Sequence, residues 1–272
     1  MSTVQLNIYR MATNALRLSF TNLRHTNGIY YTLKKRMNVM KNQTNPNYKT
    51  LLFDADETLL DFNAAQYDAL TTLFHNHGFE ITDEIREQYH ILNTSLWKAY
   101  ERGEIKREEI LNTRFSKLFQ SLGHSVDGIA YEKEYHEELN KGHKLIPGAI
   151  ELLEELKSTH DLYIVTNGVA DTQFKRLSAS SLLPYFKEIF VSEVTGYQKP
   201  QIEFFQYVFH RIPNFNPSET LIIGDSLSSD MQGGINASID TCWYNRARLN
   251  NTLGLPITYE IHELKELLPI VR

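Results

Sequence analysis

Leu51-Leu52-Phe53-Asp54-Ala55-Asp56-Glu57-Thr58-Leu59-Leu60 is the stretch that decides how this chain reads. An apolar run ends in two aspartates with one residue between them, and a threonine follows two positions later. Turns favour aspartate, so a single carboxylate after a strand needs no special account. Two at the mouth of one strand repel each other and lose hydration unless a cation or a hydrogen-bond network compensates. A strand that delivers both to the carboxyl edge of a sheet points to a metal-assisted active site.

The same pattern of apolar run and polar end recurs downstream. Strands are expected at Leu51–Asp54, Leu162–Val165, Ile189–Val191, Leu221–Ile223 and Thr241–Tyr244. Helical signals lie between them, over 149–158, 172–179, 202–211 and 230–237. Alternating strands and helices imply a doubly wound α/β fold: a Rossmann-like parallel sheet covered on both faces. One block interrupts the rhythm. Residues 62–141 read as helices only (62–77, with Tyr67, Leu70, Leu73 and Phe74 on one side; 82–102, capped by Asp83; 106–121; 131–141). The block is too long for a connection. It reads as an all-helical cap inserted over the carboxyl edge of a core formed by 49–61 and 142–272.

Composition narrows the classes. Of 272 residues, 42% are hydrophobic, enough for a proper core, and no apolar run approaches the length of a membrane span. The one cysteine, Cys242, rules out an internal disulfide framework and a multi-cysteine zinc site, and its apolar strand makes it a core residue. Net charge is −5, yet no Asp or Glu precedes Asp54, where eight of the 28 Lys and Arg residues lie. The remainder therefore carries 20 basic against 33 acidic residues, or −13, which argues against a nucleic-acid polymer as partner. Residues 1–48 form a basic, acid-free extension with four open readings. It is a disordered tail, a mitochondrial transit peptide, a partner- or membrane-binding arm, or an upstream stretch translated ahead of Met37 or Met40. The expected compartment is the cytoplasm, or the mitochondrion on the second reading. No membrane partner is expected, and oligomeric state is not legible.

The strand ends converge on one crevice in a doubly wound sheet. They bring Asp54 and Asp56, then Thr166 and Asn167, then Lys199 after the third strand, then Asp225 with Asp230 five residues on. Carboxylates suit a hard cation such as Mg²⁺, and Thr, Asn and Lys are donors fit for a phosphate. Blander roles stay open: Thr58 as a turn closer, Asn167 and Asp230 as helix caps, Trp97 and Tyr100 as packing rather than stacking groups. The ten histidines are scattered and expected at the surface, with nothing gained from the spacing of His75 and His77.

These four clusters resemble the motifs of the haloacid dehalogenase-like hydrolase superfamily. Asp54-Ala55-Asp56-Glu57-Thr58 is similar to its first motif, Thr166 to its second, Lys199 before Pro200 to its third, and Gly224-Asp225-Ser226-Leu227-Ser228-Ser229-Asp230 to its fourth. The resemblance implies roles. Asp54 is the nucleophile that forms an aspartyl-phosphate, and Asp56 the acid that protonates the leaving oxygen and then activates water. Mg²⁺ is held by the Asp54 carboxylate, the Asp56 main-chain carbonyl and Asp225, with Asp230 behind them. Lys199 offsets charge, and Lys199, Thr166 and Asn167 meet the phosphate. Dehalogenases of the superfamily lack the second aspartate, so Asp56 implies a phosphatase. Glu57, where many relatives carry Gly, resembles the pyrimidine 5′-nucleotidase branch of house-cleaning nucleotidases. Leu96-Trp97, Ile164-Val165-Thr166-Asn167-Gly168, the run Gly224–Ala237 and Cys242-Trp243 resemble it too. The expected reaction is Mg²⁺-dependent hydrolysis of nucleoside 5′-monophosphates, pyrimidine ones first. The alternatives are another small phosphomonoester, such as a sugar phosphate, or a non-catalytic binding protein on the same fold.

Overall fold

The computed structural model describes residues 47–272, so the basic segment lies outside the described residues except for its last two. Tyr48, one of those two, is already buried and donates to Asp240 at 2.9 Å.

Six parallel strands form one sheet: β1 (Thr50–Phe53), β2 (Asp161–Thr166), β3 (Glu188–Val191), β4 (Thr220–Gly224), β5 (Asp240–Tyr244) and β6 (Tyr259–Ile261), in the order β3-β2-β1-β4-β5-β6. The register places Phe53 beside Ile164 of β2 and Ile223 of β4, so the ends of β1 and β4 stand side by side. Period-two alternation sends Leu51, Phe53, Ile164 and Ile223 into one apolar layer and Leu52, Val165 and Ile222 into the other. Both faces are buried, which is why these strands read as unbroken apolar runs.

Helices α5 (Ala149–Leu156), α6 (Ala170–Ala179) and α10 (Leu268–Val271) cover the first layer, through Leu152, Leu153, Leu177 and Val271. On the other face lie α8 (Ile202–Arg211) and α9 (Gln232–Asn236), with Phe204, Phe205 and Val208 from α8. A short α7 (Ser192–Thr195) follows β3.

Between β1 and β2 run four helices: α1 (Phe62–Asn76), α2 (Asp83–Glu101), α3 (Arg107–Ser121) and α4 (Gly128–Leu139). They have a hydrophobic core of their own, built from Leu70, Leu73, Phe74, Tyr89, Phe115, Phe119 and Tyr135. Inside it Arg114 makes a two-pronged pair with Glu132 at 2.6 and 2.5 Å and reaches Asn93 Oδ1 at 3.0 Å. The two connections to the sheet run against each other: Asp61 N donates to Lys144 O, and Ile146 N to Leu59 O, both at 2.9 Å.

Some local expectations are corrected. Thr82 rather than Asp83 caps α2, its hydroxyl accepting from Ile85 N at 3.3 Å. Tyr67 is 53% exposed and carries the Arg86 guanidinium 3.7 Å above its ring, so it belongs to the polar side of α1. The helix expected at 230–237 is a π-helical turn over Leu227–Met231 followed by the short α9. Strand β6 was not expected: it has three residues, only one of them fully buried. Cys242 is buried as expected, and no helix among the described residues is long and apolar enough to cross a membrane.

Candidate active site

Asp54 is the first residue beyond β1, and its N–H still pairs with Ile223 O of β4 at 2.8 Å. That bond fixes the backbone, and the side chain lies buried at the sheet edge. Its Oδ1 accepts from Lys199 Nζ at 2.6 Å, and the Thr58 hydroxyl lies 3.5 Å from Oδ2. Thr58 is therefore more than a turn closer: it is fully buried against this carboxylate.

Lys199 reaches into the site with all three donors engaged. They go to Asp54 Oδ1 and Asp230 Oδ1, both at 2.6 Å, and to Val165 O at 2.7 Å. Burial pulls this ammonium down, but Asp230 and Asp54 outweigh burial and hold it above its ordinary range. Asn167 explains how the lysine is aimed. Its amide clasps the Lys199 main chain from both sides, accepting from N and donating to O at 2.9 Å each. Asn167 does not cap α6. The Ala170 N–H at that helix start is met by Glu193 at 2.8 Å.

Beyond β4, Asp230 folds back under the strand end. Its Oδ2 accepts from Ser226 N at 3.0 Å. Glycine is required at 224 for this approach, since a Cβ there would lie 2.3 Å from the Asp230 carboxyl. Asp230 caps no helix, because it sits inside the π-helical turn. Asp225 has no hydrogen-bond partner for its carboxylate among the described residues, while its main-chain O accepts from Trp243 Nε1 at 2.7 Å.

Carboxylate oxygens of Asp54, Asp225 and Asp230 lie within 4.8 Å of one another. Burial pushes the Asp54 carboxyl up to about 7 despite Lys199, with Asp230 and Asp56 adding to the rise. Asp225 is raised well above its ordinary range, again by burial first and then by Asp54, Asp230 and Glu57. One ammonium facing three carboxylates leaves the cluster short of positive charge. Oxygen donors with a deficit of this sign fit a hard divalent cation. Asp230 has both oxygens held at 2.6 and 3.0 Å, whereas Asp54 Oδ2 meets only the Thr58 hydroxyl at 3.5 Å, so Asp54 and Asp225 are the carboxylates more open to such an ion.

Asp56 is separate from this cluster. Its carboxylate points toward α6, where Arg176 Nη1 and Gln173 Nε2 donate to its two oxygens. Thr166, at the end of β2, is buried and accepts from Gly168 N at 3.1 Å. The structure thus brings Asp54, Thr166, Asn167, Lys199, Asp225 and Asp230 to one sheet edge, with Asp56 turned aside.

A family model for haloacid dehalogenase-like hydrolases matches residues 51–244. The chain belongs to this family. The hydrolase is 50% identical over 224 residues to the HAD-hydrolase YfnB of Bacillus subtilis, covering 82% of this chain and 95% of that one. A solved structure of YfnB bound to magnesium superposes with a TM-score of 0.80 over 83% of this chain and 99% of that one. The hydrolase is also 42% identical over 222 residues to the pyrimidine 5′-nucleotidase PynA of Streptococcus pneumoniae, covering 81% and 94% of the two chains. With the pyrimidine 5′-nucleotidase YjjG of Escherichia coli the identity is 31% over 221 residues, covering 80% and 96%.

Several residues around the hydrolase's site were not singled out from sequence. Gln173 and Arg176 grip Asp56. Glu101, at the end of α2, accepts from Ser228 Oγ at 2.7 Å and so joins the helical block to the loop after Asp225; burial raises its carboxyl, against the pull of that bond. Arg107 of α3 meets Glu193 at 2.9 Å, and Gln198 Nε2 donates to Tyr100 O at 2.8 Å. Tyr100 packs with Leu96 and Ile110, edge-on to Trp97 at 5.7 Å between ring centroids. One signal for Arg176 was available. Thr172, Gln173, Arg176 and Leu177 share a helical stripe, and all four are buried.

Proposed function

We propose that this hydrolase removes the phosphate of nucleoside 5′-monophosphates, pyrimidine nucleotides first, with Mg²⁺ bound between Asp54, the Asp56 main-chain carbonyl and Asp225. The observation that carries the reading is the split between the two aspartates. Asp54 lies in a buried cluster short of positive charge, whereas Asp56 lies outside that cluster, gripped by an arginine and an amide. Carboxylates in contrasting environments take different roles in one reaction. The relatives support the substrate class, since PynA and YjjG are pyrimidine 5′-nucleotidases. The magnesium-bound YfnB structure supports the ion.

The division of labour follows. Bound Mg²⁺ would neutralise charge between an anionic nucleophile and an anionic phosphate. Asp54 attacks phosphorus, and the resulting aspartyl-phosphate is the covalent intermediate. Asp56 gives its proton to the departing nucleoside oxygen and later takes one from the attacking water. Thr166 and main-chain N–H groups bind phosphate oxygens, with Lys199 and Asn167 beside them. Lys199 keeps its charge through Asp54 and Asp230, and a phosphate oxygen could displace one of its three acceptors. Residues 62–141 act as a cap on the core of 49–61 and 142–272, and Glu101, Tyr100 and Arg107 are the block's contacts at the mouth.

The test is phosphate release by purified protein with Mg²⁺ across nucleotides and sugar phosphates, with Asp54→Asn beside the wild type. Pyrimidine monophosphates should lead, and the variant should be inactive. A sugar phosphate in first place would overturn the nucleotide assignment. Activity retained in Asp54→Asn would overturn the nucleophile. No activity on any substrate would favour a binding protein.

A further inference from the structure

Arg176 is fully buried in α6, and its guanidinium stays charged in any protein environment. Burying such a group is costly unless its donors are used. Here two of its nitrogens are used, and Nη2 has no hydrogen-bond partner among the described residues. Nη1 donates to Asp56 Oδ1, and Nε donates to Gly142 O at 2.7 Å. The guanidinium also lies 5.4 Å from the ring centre of Phe62, the first residue of α1. Asp56 and Phe62 flank the connection that leaves the sheet for the helical block, and Gly142 lies on the connection that returns. One side chain therefore touches the carboxylate and both connections.

Gln173 completes the grip from one turn earlier. Its Nε2 donates to Asp56 Oδ2 at 2.5 Å, so both carboxylate oxygens are held. The amide in turn is wedged against Gly168, where a Cβ would lie 2.2 Å from Nε2. Gly142 is equally confined, since a Cβ there would lie 2.2 Å from Cβ of Ala65 in α1. None of these contacts reaches the Asp54–Asp225–Asp230 cluster.

We propose that Arg176 and Gln173 are positioning residues that set the place of the Asp56 carboxylate and, through Gly142 O, tie that place to the two connections on which the helical block hangs. The proposal rests on the reading of Asp56 as acid and base. In the first step the Asp54–phosphorus bond forms while the bond to the nucleoside oxygen breaks, and the Asp56 proton passes to that oxygen. In the second, Asp56 takes a proton from water as the water–phosphorus bond forms and the Asp54–phosphorus bond breaks. Only the first step depends on leaving-group basicity. A residue that places the acid should therefore matter for an alkyl phosphate and not for the phosphorylation step with p-nitrophenyl phosphate, whose phenolate leaves unaided.

The experiment compares wild type, Asp56→Asn, Arg176→Met, Arg176→Lys and Gln173→Met. It measures kcat and KM on a pyrimidine nucleoside monophosphate, and the pre-steady-state burst of p-nitrophenolate. Arg176→Met should lose ~10²-fold in kcat on the nucleotide, the lower range for proton-transfer catalysis, with KM within about twofold and the burst rate within about threefold. Arg176→Lys should recover part of the loss, and Gln173→Met should show a smaller loss of the same selectivity. Gln173→Met also serves if Arg176→Met fails to fold, as judged by circular dichroism. Equal losses on both substrates, or none, would overturn the positioning role. If Asp56→Asn itself lacks the leaving-group selectivity, the acid–base reading fails. If Asp56→Asn has it and the other variants lack it, this inference alone fails.

Discussion

Two buried cationic centres of this molecule invite comparison. In the helical block, Arg114 faces Glu132 in a two-pronged pair with Asn93 beside it, so charge and hydrogen bonds balance one to one. At the sheet edge, Lys199 faces Asp54 and Asp230, with Asp225 close by, so one positive charge meets three carboxylates. Balance marks a group whose work is structural. Imbalance is tolerable only if something else arrives to correct it, and the Asp54 and Asp225 carboxyls are raised accordingly, by burial first and by the neighbouring carboxylates after it. The same reasoning separates Asp56, held by one cation and one amide, from Asp54 two residues earlier.

The largest expected effects fall on opposite observables. Asp54→Asn should lower kcat by more than ~10³-fold, as loss of a nucleophile does, without lowering thermal stability. Glu132→Ala should do the reverse. It leaves the Arg114 charge buried and unpaired, at a cost of about 3–5 kcal/mol, while turnover per folded molecule persists. Calorimetry paired with turnover numbers normalised to folded protein checks both. A stability loss in Asp54→Asn as great as that in Glu132→Ala would erase the distinction between the centres.

Next comes the response to metal and pH. Mg²⁺ at about one hundred times its dissociation constant should stabilise the protein by ~2.7 kcal/mol, and Asp225→Asn should remove most of that gain. Without metal, the folded-state pKa of Asp54 is raised from its ordinary value to about 7. Between those values the folded state binds the extra proton, so the contribution of Asp54 to stability falls as pH rises toward 7. Asparagine does not titrate. Asp54→Asn should therefore gain on metal-free wild type between pH 5 and pH 8, and added Mg²⁺ should cancel the gain. Denaturant melts at the two pH values decide it, and a gap independent of pH would mean that Asp54 is not the strained group.

A smaller effect is expected at Gly224. An alanine Cβ would meet the Asp230 carboxyl at 2.3 Å, against a strand end that cannot retreat. Gly224→Ala should shift Asp230 off Lys199 and Ser226 and reduce kcat by ~10-fold or more, as misplacement of about an ångström can. Unchanged kinetics would show that the Lys199–Asp230 contact is dispensable.

Much of this was legible in the chain because the signals were local. Strands β1, β2 and β4 are buried on both faces, so each is a short apolar run, and Asp54, Thr166, Asn167 and Asp225 lie at a strand end or one residue beyond it. The helical block was legible from its length. What was hidden depends on packing at long range. Arg176 and Gln173 lie mid-helix, where polar residues usually face water, and their charged partner Asp56 lies more than one hundred residues away in the chain. The first N–H of α6 is met by Glu193 of α7, from further along the chain. β6 is too short and too exposed to stand out as a run.

The smallest expected effect concerns Glu57, the residue between the two centres of chemistry and the helical block. It has φ of 57°, the left-handed region in which a side chain other than glycine costs roughly 1–2 kcal/mol. The same conformation turns its carboxylate onto Asn63 N at 2.7 Å, in the first turn of α1, where an anion gains about 0.3–1 kcal/mol. The two terms cancel in part, the strain being the larger. Glu57→Gly should then change stability by less than about 1 kcal/mol while loosening the start of α1, and Glu57→Ala, which keeps the strain and loses the bond, should be the less stable of the two. Hydrogen exchange at Asn63 and Ala64 reads the loosening directly. Because Glu57 also adds to the rise at Asp225, removing it should ease that carboxyl and weaken Mg²⁺ binding slightly. If Glu57→Ala matches wild type in stability and exchange, Glu57 is not what fixes the first turn of α1 to the Asp54–Asp56 loop, and Asp61, whose carboxylate accepts from Ala64 N at 2.9 Å, caps the helix alone.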